Sequence, residues 1–376
     1  MTHPEGRLLS LDAFRGLTIA AMVLVNNPGT WSAVYRPLTH AEWHGWTATD
    51  LVFPFFLFIV GVSITLALGR RRAAGDTAGG LAARVVRRAA VIFALGLVLN
   101  VIAALRFGVG LDTVRTMGVL QRIALCYLGA ALLFLCSGWR TQAALAGGLL
   151  LGYWGLLTLV PVPGFGAGDL GKEGSLAAWL DRLLLGPHIW RGGKVYDPEG
   201  VLSTLPAIAT TLAGVLAGHW LVAVESPARK LGGLALAGAA ALVAGLAWGA
   251  WFPINKSLWT SSYALFTSGA AALGLAACAW AVEVAGYRRW ATVFAVLGTN
   301  ALALFFLSTL VALLLITTEI VQADTGTLTL HALLYRRLFA PWASPVNASL
   351  AWAIAYLLVW LGVMGLLYRR RIFIRV

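Results

Sequence analysis

A histidine-rich connector between the first two apolar segments holds the residues of this chain that are best suited to acid–base chemistry. His40 and His44 are four residues apart, and Asp50 opens the next apolar segment. An imidazole with an ordinary pKa of about 6.5 accepts a proton near neutrality. A histidine in a connector rich in tryptophan is more often an interfacial packing residue, so the spacing alone leaves both interpretations open. We reject a metal pair, because no third ligand stands at a telling spacing.

Further polar residues stand at the corresponding ends of other apolar segments. They are Asn26 and Asn27, Arg122, Asp197 and Glu199, and Asn255 and Lys256. Five segments thus present polar groups at one membrane depth, which predicts a cavity that opens to one side. A cation inside a span costs roughly 2.5–3.5 kcal/mol on insertion scales, so Arg122 is expected to face a cavity or a partner. Function and a structural ion pair remain equal interpretations of this residue.

The elements that must position these groups are membrane helices. The chain of 376 residues is 60% hydrophobic and only 11% charged, with a mean hydropathy of +0.82. This balance excludes a soluble enzyme, a disordered chain and a nucleic-acid binder, despite a net charge of +13. Three cysteines, all in apolar runs, predict neither a disulfide framework nor a zinc cluster.

Apolar runs of about 20 residues are long enough to cross a bilayer as helices. We therefore predict an all-α polytopic membrane protein, organised as a single transmembrane domain over residues 1–376. The segment 318–346 is left unassigned. About ten spans are predicted, at 11–28, 47–69, 87–105, 116–137, 141–160, 200–223, 231–252, 259–284, 291–317 and 347–368.

The basic residues predict the orientation of these spans. Sixteen of the 28 Lys and Arg residues fall in the segments on the N-terminal side of the membrane, ten fall on the opposite side, and two lie within spans. Because cytoplasmic loops carry the excess of positive charge, both termini are predicted to be cytoplasmic. His40 then lies on the outer side. The positive net charge is mostly this topology signal.

Six ordered motifs resemble the heparan-α-glucosaminide N-acetyltransferase family, including its bacterial members. The resemblance runs from about residue 7 to the C-terminus, and any one motif alone would be weak. The motifs occupy residues 9–18, 40–55, 118–122, 196–200, 253–259 and 298–300.

The resemblance implies transfer of an acetyl group from cytosolic acetyl-CoA to the amine of a glucosamine-type sugar on the periplasmic or luminal side. It implies a multi-pass protein of a bacterial inner membrane, with acetyl-CoA as co-substrate and no metal. The family's active-site histidine matches His40, and its accompanying asparagine matches Asn26. Asn27 is an alternative, because the connector is longer than in eukaryotic members. His44 falls where those members tend to carry asparagine.

The chemistry suggests a role for each residue at the reacting centre. His40 can accept the proton of the amine, or it can attack the thioester and carry the acetyl group itself. Asn26 can donate a hydrogen bond to the oxyanion. Asp50 or Asp197 can orient His40 or hold the sugar, and the sequence does not rank them. Further predicted substrate-binding residues are Glu199, Asn255 and Lys256.

The phosphates of CoA require cations near the cytoplasmic side. Arg72 and Arg88 of the first inner loop are the predicted contacts, although orientation alone would also demand arginines there. Gln121 and Arg122 are predicted to line a passage for the pantetheine arm. The thioester would then cross most of the bilayer inside the protein.

Three other functions remain open from the sequence. The chain can be a permease for an amino sugar or oligosaccharide, an O-acetyltransferase of a cell-surface polysaccharide, or a membrane subunit with a vestigial site. Acetyl transfer is preferred, because no inverted repeat or pair of broken helices of the transporter kind is visible. The expected partners are acetyl-CoA, an amino sugar and the lipid bilayer, without nucleic acid, and a homodimer is left open.

Overall fold

The computed structural model describes residues 8–322 and 326–374. Within these ranges the chain is nearly all helical, which confirms the predicted all-α class. Thirteen α-helices are described, in chain order Leu9–Asn26 (α1), Ala48–Ala73 (α2), Ala78–Arg106 (α3), Val119–Cys136 (α4), Trp139–Leu159 (α5), Leu176–Leu185 (α6), Thr204–Ala223 (α7), Pro227–Trp248 (α8), Ser261–Ala279 (α9), Arg288–Thr299 (α10), Ala301–Thr317 (α11), Leu330–Leu338 (α12) and Pro345–Arg369 (α13).

Two short antiparallel strands occupy part of the segment that the sequence leaves unassigned. They are Glu319–Gln322 (β1) and Gly326–Thr329 (β2). The pairing places Glu319 opposite Thr329, and α12 follows directly. The segment between α11 and α13 is therefore a folded hairpin and helix.

Nine helices in the described ranges are long and apolar enough to cross a membrane: α1 to α5, α7 to α9 and α13. The predicted span over 291–317 corresponds to two helices, α10 and α11, which together are long and apolar enough to cross a membrane and are bent by 70° at Asn300. The Asn300 side chain donates to the carbonyl of Ile372 at 3.1 Å and accepts from the amide of Ile374 at 2.9 Å. Through these two hydrogen bonds, the side chain of Asn300 at the bend contacts the segment that follows α13.

Close approach of backbones at glycines holds the centre of the bundle together. A Cβ at Gly61 of α2 would lie 1.9 Å from the Thr211 carbonyl oxygen of α7, and one at Gly214 would lie 2.0 Å from that of Phe58. Small residues allow helices to pack at short range where lipid removes the hydrophobic driving force. The α2–α7 contact is therefore specified by glycine.

Five connections lie at the same membrane face. They are the connector 27–47 between α1 and α2, the segment 107–118 between α3 and α4, the loop 160–203 that contains α6, the turn 249–260 between α8 and α9, and the described part of the segment between α11 and α13. The connector reaches the turn directly, since the Gly45 amide donates to the Ile254 carbonyl at 2.8 Å. We call this end of the bundle the site face. Its orientation toward the outside stays a prediction.

Replacing Gly61 with alanine is expected to lower the thermal stability of the detergent-solubilised protein. The added methyl group would overlap a backbone carbonyl, so the helices must separate, at a cost of about 1–3 kcal/mol. Gly69→Ala is the control on the same helix, because its nearest neighbouring atom would be 4.0 Å away. Equal melting temperatures for the two variants would contradict this account of the contact.

Candidate active site

His40 and Asp50 form a hydrogen-bonded pair at the site face. The His40 Nδ1 atom lies 2.7 Å from the Asp50 Oδ1 atom. The histidine side chain is 47% exposed, whereas that of the aspartate is 1% exposed. When Nδ1 donates its hydrogen to a buried carboxylate, Nε2 is the ring nitrogen that can take up a proton. This is the arrangement that orients a general base.

The N-terminus of α2 fixes the position of Asp50. Asp50 is the third residue of the helix, and its Oδ2 atom accepts from the Thr47 amide at 3.0 Å in a capping box. The same oxygen accepts from the Ala41 amide at 3.0 Å. Backbone amides and the helix dipole stabilise a carboxylate at this place. Asp50 therefore joins the helix, the connector and the imidazole.

Lys256 reaches the imidazole from the turn 249–260. Its Nζ atom lies 3.0 Å from Nδ1 and 3.1 Å from Nε2 of His40, and 3.8 Å from the Asp50 Oδ1 atom. Near-equal distances to the two ring nitrogens place the amine over the ring face. Burial lowers the pKa of Lys256, although Asp50 and Glu199 oppose that shift. Histidine, aspartate and lysine together form what we call the His40 centre.

A second ionic group joins the segment before α4, which carries Arg115, to the loop before α7, which carries Asp197 and Glu199. Arg115 contacts Asp197 at 2.9 and 2.5 Å and Glu199 at 2.6 Å. Burial acts to raise the pKa of Glu199, but the charges of Arg115, Arg122 and Lys256 outweigh it and leave that pKa below its usual value. Burial acts to lower the pKa of Arg115, and the two carboxylates reverse this and raise it. Glu199 is therefore held as an anion.

Asp181 of α6 accepts hydrogen bonds from the backbone of the loop that carries Asp197 and Glu199. Its Oδ1 atom accepts from the Val201 amide at 2.9 Å, and its Oδ2 atom accepts from the Asp197 amide at 3.3 Å. Burial raises the pKa of Asp181 to about 6. Because the pKa of Asp181 in the folded protein lies above its ordinary value, Asp181 contributes most to the free energy of unfolding at low pH. That contribution is lost as the pH rises through about 6.

Arg122 is fully buried, and its guanidinium is occupied by the loop. It donates to the carbonyls of Pro198 and Gly200 at 2.9 Å each and to the hydroxyl of Ser203. It also lies 5.2 Å from the ring centroid of Trp259. These contacts compensate the buried charge of Arg122 and hold the residues that precede α7 in place. They give Arg122 a structural role. A contact with CoA stays a prediction for this residue.

Gln121 and Asn255 are also buried, and Asn255 is hydrogen-bonded to nearby backbone. Gln121 fills the space left by Gly96, where a Cβ would lie 2.4 Å from its Oε1 atom. Asn255 accepts from the Leu258 amide at 2.8 Å, and its amide nitrogen lies 3.4 Å from the His44 Nδ1 atom. Asn255 therefore shapes the turn that carries Lys256.

The structure separates the remaining predicted residues from the His40 centre. Asn26 ends α1 and lines a different cavity at the site face. Arg72 lies in the last turn of α2, and Arg88 of α3 lies 5.1 Å from the ring centroid of Tyr127. These two arginines lie toward the opposite end of the bundle. The role of Asn26 as the asparagine that accompanies the active-site histidine, which the family resemblance implies, stays a prediction.

Sequence reasoning missed the residues that complete the site. In the sequence, Arg115 is visible only as one of the cations on the outer side. Its neighbours along the chain do not indicate that it pairs with Asp197 and Glu199, which lie 82 and 84 positions later. Trp43 and Tyr196 form an edge-on ring pair with centroids 5.1 Å apart. Tyr196 precedes the predicted Asp197, so its neighbourhood was visible in the motif.

Among the described residues, no group of three His, Cys, Asp or Glu side chains is placed to hold a metal ion. The His40 centre supplies a base oriented by a carboxylate, and an amine beside it.

The fold and this centre define a multi-pass helical membrane protein with a histidine–carboxylate–lysine site at one face. Residues 7–167 match the family model described as "Heparan-alpha-glucosaminide N-acetyltransferase, catalytic". The human protein named heparan-alpha-glucosaminide N-acetyltransferase is 32% identical over 309 residues, and the mouse protein of that name is 31% identical over 311. The chain belongs to this family, as the motifs predict.

Both alignments cover 68% of this chain and 46% of the relative. The chain thus spans about half the length of the curated relatives it matches.

Replacing Arg115 with glutamine is expected to destabilise the protein by about 3–5 kcal/mol at pH 7, because two buried carboxylates lose their cation. The depressed pKa of Glu199 contributes stability above its ordinary pKa, and this is lost as the pH falls through the lower value in the folded state. The difference in melting temperature between wild type and variant should therefore shrink on acidification.

Thermal unfolding in detergent, from pH 8 down to well below the ordinary Glu199 pKa of 4.5, measures this effect. The control is Arg191→Gln, an exposed arginine of the loop 160–203 whose guanidinium donates to the Thr113 hydroxyl. A deficit that stays constant over the whole pH range would show that the ion pairs do not account for the loss.

Proposed function

We propose that this chain transfers an acetyl group from acetyl-CoA to the amine of a glucosamine-type sugar at the His40 centre. The observation that carries the proposal is the His40–Asp50 pair, which lies within the residues that match the family's catalytic model. The names of the relatives supply the class of donor and acceptor. Residues 1–376 act in this proposal as one transmembrane domain.

His40 serves as the general base in the proposed reaction. Asp50 accepts a hydrogen bond from the Nδ1–H group of His40, so the lone pair of the half-exposed ring is on Nε2. Nε2 removes a proton from the sugar amine while the amine nitrogen attacks the thioester carbonyl carbon. The C–S bond then breaks, and the proton on Nε2 passes to the departing CoA sulfur. Amide and thiol are the products, with His40 restored.

An acetyl-histidine route would use the same Nε2 atom. In that case Nε2 attacks the thioester, the C–S bond breaks and CoA leaves as the thiolate. The sugar amine then attacks the acetyl carbon, the bond from Nε2 to the acetyl group breaks, and the amine proton passes to Nε2, which releases it to solvent. Rapid quenching of wild-type protein with labelled acetyl-CoA in the absence of sugar separates the two routes. Protein-bound label means the covalent route, and its absence means direct transfer.

We assign the oxyanion donor to Lys256. In both routes negative charge develops on the thioester oxygen beside the imidazole, and the Lys256 amine lies within 3.1 Å of both ring nitrogens. A donor placed there stabilises the tetrahedral state. Asn26, the donor implied by the family resemblance, lines the other cavity, so the adjacent amine suits this role better.

The sugar binds in the proposal between the His40 centre and the loop before α7. Trp43 and Tyr196 offer aromatic faces to a pyranose ring, and Glu199 offers a carboxylate to its ammonium or hydroxyl groups. Asp197 acts through Arg115, which it holds in place. Asn255 acts through the turn that presents Lys256.

The donor arrives in this proposal from the side opposite to the site face. Arg72 and Arg88 bind the CoA phosphates, and the pantetheine arm runs toward the site past Gln121 and Arg122. Arg72 and Asp50 are 22 residues apart on α2, about 33 Å at 1.5 Å per residue, so the arm must cross most of the bilayer. We place the site face in the periplasm and the protein in a bacterial inner membrane, with both termini cytoplasmic.

Replacing His40 with alanine is expected to reduce acetyl transfer by about 10²–10⁴-fold, the contribution of a positioned base. Lys256→Met is expected to lower kcat by about 10²–10³-fold, as for loss of an oxyanion donor. Purified protein, radiolabelled acetyl-CoA and glucosamine measure both rates. The matched control is Glu42→Gln, an exposed carboxylate of the same connector.

Wild-type levels of N-acetylglucosamine from the His40 variant would remove His40 from the mechanism. No product from folded wild-type protein that binds acetyl-CoA would overturn glucosamine as the acceptor. If the protein neither binds nor turns over acetyl-CoA, the acetyltransferase proposal itself fails.

A further inference from the structure

An apolar cavity lies within the membrane-spanning part of the bundle, between α5, α7, α8 and α9. Its volume is about 490 Å³. Along α7 its lining extends from Ala209 to Trp220, about 16 Å at 1.5 Å per residue. That length is close to half of a hydrocarbon core of about 30 Å, which is the depth of one leaflet. The residues of the His40 centre are not among those that line this cavity.

The cavity lies beside two helices that face lipid. Of the nine candidate spans in the described ranges, α5 and α8 have the smallest buried share. Leu151 of α5 is 59% exposed and Leu236 of α8 is 74% exposed. Exposed apolar side chains within a span face the hydrocarbon of the bilayer. The occupant of a cavity between such helices can therefore come from the lipid itself.

Glycines keep α5 and α8 apart next to the cavity. Near the site face the two helices meet through the rings of Trp154 and Trp248, whose centroids are 6.0 Å apart. Toward the opposite end, a Cβ at Gly147 of α5 or at Gly232 of α8 would meet no neighbouring element within 4 Å. Gly147 also lines the cavity. This part of the α5–α8 boundary is therefore open enough to admit a chain from the side.

The lining offers no free hydrogen-bonding side chain among its described residues. Three lining residues carry polar side-chain atoms, and each is hydrogen-bonded within the protein: Thr210 to Pro206 and Trp259, Ser268 to Ala264, and Trp220 to Lys230. An occupant with amide or hydroxyl groups would lose its hydrogen bonds to water without replacement. The cavity therefore selects a hydrocarbon chain over an amide-bearing one such as the pantetheine arm of CoA.

Cations stand at the end of the cavity that lies away from the site face. Trp220 lines the cavity three residues before the end of α7, and its indole donates to the Lys230 carbonyl in the first turn of α8 at 3.0 Å. Arg229 is exposed beside Lys230, and Glu225 is exposed in the connection before them. Arg140 is exposed in the first turn of α5, on the other side of the cavity. Positive charge thus exceeds negative charge at the mouth, as an anionic headgroup requires.

We propose that this cavity binds one acyl chain of an anionic phospholipid from the leaflet opposite the site face, with Lys230 as the contact of its phosphate. The chain enters between α5 and α8 and packs against the alanines and glycines of α7, α8 and α9. The phosphate stays at the membrane surface beside Lys230 and Arg229. This inference does not depend on acetyl transfer.

Native mass spectrometry of the delipidated full chain in detergent tests the chain site. The probes are phosphatidylglycerol and phosphatidylcholine with the same acyl chains. Gly147→Phe places a ring in the cavity and is expected to weaken binding of the first molecule of either lipid by about tenfold or more. Gly148→Phe is the matched control, because its Cβ also meets no neighbouring element within 4 Å and Gly148 is not among the lining residues.

The headgroup contact is tested separately with Lys230→Gln. This variant is expected to bind phosphatidylglycerol about fivefold more weakly, the contribution of one basic residue near the membrane surface, and to bind phosphatidylcholine as wild type does. Arg289→Gln is the control, an exposed cation at the same end of the bundle that does not line the cavity. It should bind both lipids as wild type does.

Equal lipid binding by Gly147→Phe and Gly148→Phe overturns the acyl-chain site, and equal binding of the two lipids by wild type overturns the anionic headgroup. Release of the bound lipid by acetyl-CoA would assign the cavity to the donor and also overturn the proposal. If Gly147→Phe does not fold, Gly147→Leu with Gly148→Leu as its control makes the same comparison. Retained lipid binding in a protein that transfers no acetyl group leaves this site standing.

Discussion

The buried carboxylate of Asp50 is the group on which the site face depends. A carboxylate that is 1% exposed at the start of a membrane helix must be compensated by hydrogen bonds or charge. Its partners come from separate parts of the chain: the amides of Ala41 and Thr47, the imidazole of His40 and the amine of Lys256. Satisfying one anion therefore brings the connector, α2 and the α8–α9 turn to one point.

A second buried charge organises the opposite wall in the same way. Arg122 stands in the first turn of α4 and binds the carbonyls of Pro198 and Gly200, while Arg115, just before that helix, binds Asp197 and Glu199. Two arginines seven residues apart thus hold one tetrapeptide by its backbone and its side chains. Removing either partner of such a buried pair costs much more than the pair contributes by itself. The wall is consequently rigid where the sugar is proposed to bind.

Much of this architecture could be predicted from the sequence, and what could not has identifiable causes. The spans are visible because lipid demands long apolar helices, and ordered motifs placed His40, Asp50, Asp197 and Lys256 at one depth. Arg115 and the bend at Asn300 depend on partners more than seventy residues away, which no local pattern encodes. The family resemblance pairs Asn26 with His40, and the structure places Asn26 in the lining of a different cavity. The catalytic role of Asn26 stays a prediction.

The bend between α10 and α11 has a consequence for biogenesis. The two bonds that tie Asn300 to Ile372 and Ile374 join residues at least 72 positions apart, with the whole of α13 between them. A ribosome has therefore synthesised both halves of the bent pair, the hairpin and the last span before this junction can close. Until then α11 must be accommodated by the translocon or by neighbouring helices without its final angle. Membrane insertion of this chain ends with a tertiary step, in which the C-terminal segment locks a helix inserted earlier.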